Sequence, residues 1–122
     1  MTNTDVAFKS AVPVVPVEDF PAAVAFYRDT LGFTATFEQG AYGGVERDGL
    51  ELHLDAADPT TRKGSGAVTV RINVAGIDSF YAEVEPSGAV DPNEPLETKP
   101  WGTRQFSVRD TAGNRITFVE SA

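Results

Sequence analysis

Apolar residues along this chain switch between two spacings, and the switch happens twice in the same order. Residues 10–33, SAVPVVPVEDFPAAVAFYRDTLGF, open with β-branched Val12, Val14, Val15 and Val17, side chains that suit a pleated strand. Pro13 and Pro16 interrupt them. Proline offers no N–H to a ladder, so the run predicts an edge or terminal strand. Phe20, Val24, Tyr27 and Leu31 then recur at spacings of four, three and four, one face of a helix. Asp19 is placed to cap it, Pro21 is tolerated in its first turn, and Gly32 supplies the stop.

The spacing next falls to two. Strands are predicted at about 34–38, 42–47 and 50–55, punctuated by QG and DG, the latter a hairpin signal. In LELHLD the leucines at 50, 52 and 54 point one way and Glu51, His53 and Asp55 the other. After the polar loop AADPTTRKGSG the order repeats. AVTVRINV reads as a strand and GIDSFYAEVE as a short helix carrying Ile77, Phe80, Tyr81 and Val84. PSGAVDPNEP reads as a loop, followed by strands at about 96–99, 104–109 and 115–120 with DTAGN as the last turn.

The chain is thus read as one α+β domain, 1–122, of two βαβββ modules at about 10–56 and 67–120. A unit written twice suggests duplication. Each module lays its helix on one face of its strands and leaves the other bare. Two such faces side by side form a curved mixed sheet around a cleft, a shape suited to small molecules.

Composition narrows the function. A length of 122 residues fits one domain, and without cysteine there are neither disulfides nor thiolate metal sites. No signal-like N-terminus and no apolar run near 20 residues is visible, so a cytoplasmic protein without a membrane partner is expected. Ten Lys and Arg against 18 Asp and Glu give a formal charge of −8. That field repels phosphate backbones, so no nucleic-acid partner is expected, and it favours cationic ligands.

Catalytic chemistry is hard to find. His53 is the sole histidine and shares a strand face with Glu51 and Asp55. Residues two apart on a strand lie about 7 Å apart, so the three cannot easily reach one ion. A polar wall, with His53 within hydrogen-bonding reach of Asp55, is the simpler reading. No serine is spaced for a triad with His53, and GAYGG lacks the lysine and helix of a phosphate loop.

The stretches SAVPVVPVEDFPAAVAFYRDTLGF, GGVERDGLELHL, VAGIDSFYAEV and PWGTRQFSVRDTAGNRITFV together resemble the bleomycin resistance protein family, within the vicinal oxygen chelate (glyoxalase-like) superfamily. The resemblance spans 10–119. FYRDTLGF and RDTAGNRITF are superfamily-wide, whereas SAVPV and PWG resemble the drug-binding branch. It implies a strand-swapped homodimer with Pro13 at the crossing point. It also implies clefts built by both chains and stoichiometric sequestration of a DNA-damaging antibiotic without turnover. Superfamily enzymes hold a divalent metal; the corresponding positions here are Val12, Thr69 and Thr117, none a credible ligand, so no metal or cofactor is expected.

By the same resemblance Phe37, Tyr42 and Trp101 line the drug cleft, and Asp55 stands at a polar cleft position beside His53. Stacking of flat guests on such rings contributes roughly 1–3 kcal/mol per contact. Arg71 replaces an aromatic residue of the family. It could stack on the guest, repel a cationic drug, or select an anionic or carbonyl-rich one. Mitomycins and anthraquinone-fused enediynes therefore compete with bleomycins as the guest, and a glyoxalase-like enzyme is the alternative function.

Overall fold

Strand β1 (Val14–Pro16) leads into helix α1 (Phe20–Asp29) and then β2 (Thr34–Gln39), β3 (Tyr42–Arg47) and β4 (Leu50–Asp55). The second half repeats this with β5 (Thr69–Asn73), α2 (Ile77–Val84) and a single 3-10 turn (Glu85–Ser87). It ends with β6 (Glu97–Thr98), β7 (Thr103–Arg109) and β8 (Arg115–Ser121). The computed structural model describes residues 4–57 and 67–121; most of the loop expected between the halves lies outside them.

The strands form two four-stranded sheets, ordered β1-β4-β3-β2 and β5-β8-β7-β6. Adding four to each number of the first order gives the second, so the repeat read from the spacing is a repeat of topology. In each sheet the first strand lies parallel to the last and the other pairs are antiparallel. The proline-bearing β1 is an edge strand, as its missing donors require. The two βαβββ modules expected are present, and among the described residues each forms its own mixed sheet. One expectation changes, in that the 96–99 strand shrinks to Glu97–Thr98, where a turn at Lys99 takes over.

Local signals explain most boundaries. The Asp19 carboxylate accepts the Ala22 N–H at 3.1 Å, capping α1. Asp48 and Gly49 both take positive φ, 54° and 82°, the pair of left-handed residues that a tight hairpin turn needs. Helix α2 has no local side-chain cap. Glu120 of β8 supplies one from afar, accepting the Gly76 and Ile77 N–H groups at 3.2 and 2.9 Å; its negative charge suits the helix N-terminus.

One core joins the modules. Val15, Val45, Leu52 and Leu54 of the first sheet cluster with α1 residues Phe20, Val24 and Tyr27 and with Ile72, Phe106, Val108, Ile116 and Phe118 of the second. Arg47 ties the halves at their rim, donating to the Leu31 carbonyl at 2.7 Å and Glu83 at 3.0 Å, with its guanidinium 5.1 Å from the Phe80 ring centre. Asn114, wholly buried, donates to the Pro16 carbonyl (2.7 Å) and accepts the Val68 N–H (2.9 Å). Because alternate residues serve this core, the remaining side of each sheet is turned away from its helix.

Candidate functional site

On the open face of the first sheet, register sets Tyr42 opposite Asp55, Gly44 opposite His53 and Glu46 opposite Glu51. Phe37 on β2 lies against Gly44. A Cβ built on Gly44 would stand 2.6 Å from the Phe37 ring and 2.6 Å from Thr36 Oγ1, so glycine is what lets the ring lie flat on the strand. On the reverse side a Cβ on Gly43 would meet Phe20 of α1 at 2.7 Å. The GG pair thus admits one aromatic ring from each face.

Phe37, Tyr42 and His53 form a closed group. Ring centres lie 5.1 Å apart for Phe37 and His53, 5.3 Å for Tyr42 and His53, and 6.1 Å for Phe37 and Tyr42. The first two are edge-on, the geometry aromatic quadrupoles prefer. The Tyr42 hydroxyl is 2.6 Å from His53 Nδ1, and His53 Nε2 is 3.3 Å from Glu51. In the tautomer with its proton on Nε2, His53 donates to Glu51 and accepts from the phenol. The hydrogen-bond partners found for His53 are therefore Tyr42 and Glu51 rather than the expected Asp55. The Asp55 carboxylate is buried and accepts the Ala57 N–H at 2.9 Å, which makes it part of the wall's support.

The open face of the second sheet is polar. Parallel register places Thr69 beside Arg115 and Arg71 beside Thr117, with Ser107 beyond Thr117. Ser107 Oγ is 2.8 Å from Thr117 Oγ1 and donates to Glu94 at 2.8 Å. Arg115 donates to Glu94 at 3.1 Å, and Arg109 to Asp91 at 3.0 Å. The Asn93 N–H and then the Arg109 guanidinium hold the Asp91 carboxyl below the usual carboxylate range. Sequence reasoning passed over Ser107, Glu94, Gln105 and Arg115; the inward alternation of β7 and β8 was the signal that could have found them.

Arg71 stands between the two faces. It borders a hollow of about 310 Å³ shared with Glu51, Leu50, Val12 and Pro13, and a second of about 180 Å³ over Arg115 and Gln105. A third hollow, about 380 Å³, lies elsewhere, between the modules on the helix side near Leu31, Phe33, Phe80 and Phe118. It contains none of the aromatic group just described.

Trp101 crowns a tight turn in which the Lys99 N–H bonds the Thr103 carbonyl and the Gly102 N–H the Lys99 carbonyl, at 2.7 and 2.9 Å. Gly102 takes φ 101°, which only glycine adopts freely. The indole is 69% exposed and, among the described residues, packs on no other aromatic ring. The structure therefore brings Phe37, Tyr42 and His53 together but leaves Arg71 and Trp101 on the other sheet.

The metal positions fit no ion. Val12 is a hydrocarbon, the Thr117 hydroxyl is engaged by Ser107, and Thr69 offers only a neutral alcohol. Among the described residues no group of three His, Asp or Glu side chains could hold a metal, and no helix is long and apolar enough to cross a membrane.

Comparison with known proteins agrees with this architecture. The family described as "Glyoxalase superfamily protein" matches residues 1–122. Bleomycin resistance proteins of Geobacillus stearothermophilus and Staphylococcus aureus are 30% identical to the chain over 125 residues, 90% of this chain and 95% of theirs. The bleomycin-binding protein of bleomycin-producing Streptomyces verticillus, solved with copper(II)-bleomycin, is 31% identical. It covers 96% of this chain and 99% of its own, with a TM-score of 0.76. TnmS3, an antibiotic binding protein from Streptomyces sp. CB03234, is 28% identical over 96% of this chain and 100% of its own, also with a TM-score of 0.76. The chain belongs to the glyoxalase superfamily and, within it, to the bleomycin resistance protein family.

Proposed function

We propose that this protein sequesters a bulky aromatic antibiotic, a bleomycin or a similar DNA-damaging natural product, in the cytoplasm, one guest per cleft and without modifying it. The observation that carries the reading is the Phe37–Tyr42–His53 group. Three rings stand on the face of a sheet that the core does not use, locked by the 2.6 Å Tyr42–His53 contact. Rings held in place offer stacking area without the entropy cost of ordering them on binding. The relatives that bind bleomycin and other antibiotics share the fold over nearly its whole length.

The cleft is completed by a second copy. Trp101 belongs to the opposite sheet from the aromatic group, and residues 4–11 are exposed, with Phe8 98% accessible. The Pro13 carbonyl accepts the His53 N–H at 2.9 Å and Val14–Pro16 pairs with its own β4. With Val14–Pro16 held in its own sheet, the exchange we propose involves the residues upstream of Pro13. A homodimer that buries Phe8 and brings Trp101 of one protomer over Phe37 of its partner accounts for both features.

The Glu51–His53–Tyr42 chain favours one other reading, proton transfer by a glyoxalase-like enzyme on a small molecule. A single experiment separates the two. Bleomycin is titrated against the protein with Trp fluorescence and mass spectrometry of the recovered drug. Sequestration gives saturation at one drug per cleft and intact drug; modified drug at sub-stoichiometric protein sinks it.

A further inference from the structure

We propose that the open face of the second sheet is an anion subsite, in which Arg71 and Arg115, with the Gln105 amide, take a carboxylate or sulfonate-type group of the guest. The inference rests on the reading that the open faces hold an aromatic ligand, and it adds that ligand's charge. It runs against the chain's formal charge of −8, which by itself favours cations.

The hydrogen-bonding inventory of this face carries the inference. Its three acids are already engaged, Glu97 opposite Gln105 by Lys99. Glu94 accepts from Ser107 on one oxygen and from Arg115 on the other, at 2.8 and 3.1 Å. Asp91 accepts the Asn93 N–H and the Arg109 guanidinium, at 2.9 and 3.0 Å. The Gln105 carbonyl oxygen accepts the Thr103 hydroxyl at 2.8 Å, which leaves its NH2 group to donate.

The donors, in contrast, are in excess. Arg115 Nε is buried with no hydrogen-bond partner, and among the described residues the Arg71 guanidinium forms no ion pair or hydrogen bond. With Glu97 paired to Lys99, Glu94 to Arg115 and Asp91 to Arg109, Arg71 is the cation left without an acid partner on this face. It sits at the junction of the two hollows, the larger of which Glu51 also lines. A buried N–H without an acceptor is costly, and guanidinium forks match oxyanions in two places at once. An oxygen-rich anion in the hollow of about 180 Å³ supplies an acceptor to Arg71, and to Arg115 when its guanidinium turns to open Nε, which is closed off from solvent as it stands. A cationic group there would face two guanidiniums, and the one carboxylate lining the hollow, Glu94, is already engaged by Ser107 and Arg115.

The test uses the full chain and two nearly isosteric probes, naphthalene-2-sulfonate and naphthalene-2-sulfonamide, titrated by calorimetry and by nitrogen-resolved NMR of the arginine Nε–H signals. The sulfonate should bind about tenfold tighter than the sulfonamide and shift the Arg115 Nε–H resonance. Arg71→Met should bring the two affinities to within about twofold, and Arg71→Lys, which keeps charge but loses the fork, should retain part of the gap. Arg71 is exposed, so both variants should melt like the parent. Equal affinities in the parent, or a sulfonate preference that Arg71→Met leaves intact, overturns the subsite while leaving the aromatic wall standing. Methanesulfonate competing as well as the naphthyl probe would keep the subsite and remove the aromatic guest. Binding of neither probe overturns both.

Discussion

The Tyr27 hydroxyl donates a 2.8 Å hydrogen bond to Asp110 Oδ2, 83 residues away. It joins the two motifs common to the superfamily, FYRD in α1 and DTAGN between β7 and β8. Asp110 also accepts the Ala112 and Asn114 N–H groups and the Asn114 side chain, each at 2.9 Å. The two stretches are therefore halves of one buried joint that serves the fold and touches neither open face.

That joint makes stability depend on alkaline pH. Burial first, then the nearby Asp110 charge and the hydrogen bond to it, raise the Tyr27 pKa far above the ordinary phenol. A group whose folded pKa is raised contributes fully below its unfolded pKa, about 10, and its contribution falls as pH climbs beyond it. Denaturant midpoints should hold to about pH 10 and then drop, by up to about 1.4 kcal/mol per pH unit from this group. Tyr27→Phe should cost about 1–2 kcal/mol at pH 7 and remove that part of the alkaline slope. An unchanged slope would refute the assignment.

Asn114 should be less replaceable than any ligand-facing residue. Its side chain serves the Pro16 carbonyl, the Val68 N–H and Asp110 at once, from a fully buried position. Asn114→Ala strands these groups without water and should cost about 3–5 kcal/mol in urea unfolding. Asn114→Asp, although isosteric, puts a second carboxylate against Asp110 and should do no better.

Gly44 links fold to site. Gly44→Ala places a methyl group within 2.6 Å of the Phe37 ring and Thr36 Oγ1, and its backbone has no positive φ to confuse the reading. The ring must lift off the strand. A stability loss of about 1–3 kcal/mol is expected, together with weaker drug binding. Gly40→Ala, whose Cβ meets open space but whose φ of 65° strains any side chain, should instead lose stability without displacing the ring and so leave binding unchanged. Parallel titrations of the two variants decide it.

The fold was legible because local signals and long-range needs coincide. The β1 prolines, the Asp19 cap, the Asp48–Gly49 turn and the period-two leucines each dictate one local geometry, and each was found. What sequence hid was assembled across the chain. Nothing around Gly76 announces that Glu120 caps α2, and β6 ends early because the Lys99–Thr103 turn captures its successor. The site was half legible for a similar reason. Phe37, Tyr42 and His53 lie on adjacent strands of one sheet and register brings them together, whereas pairing Trp101 with them asks for an interface that one chain does not contain.

That last point has a sharp consequence. Trp101 is mostly exposed, so Trp101→Ala should shift stability by less than about 0.5 kcal/mol while lowering drug affinity about tenfold. Phe37→Ala should weaken binding similarly. If each cleft takes Phe37 from one protomer and Trp101 from its partner, each single variant spoils both clefts of its own dimer. A dimer of one Trp101→Ala and one Phe37→Ala chain concentrates both defects in one cleft and leaves the other whole. Equal mixing through unfolding and refolding should then restore parental affinity to about a quarter of all clefts, by the statistics of a two-fold dimer. A mixture that binds no better than its parents would mean that the indole and the Phe37–Tyr42–His53 group never share a guest across the interface.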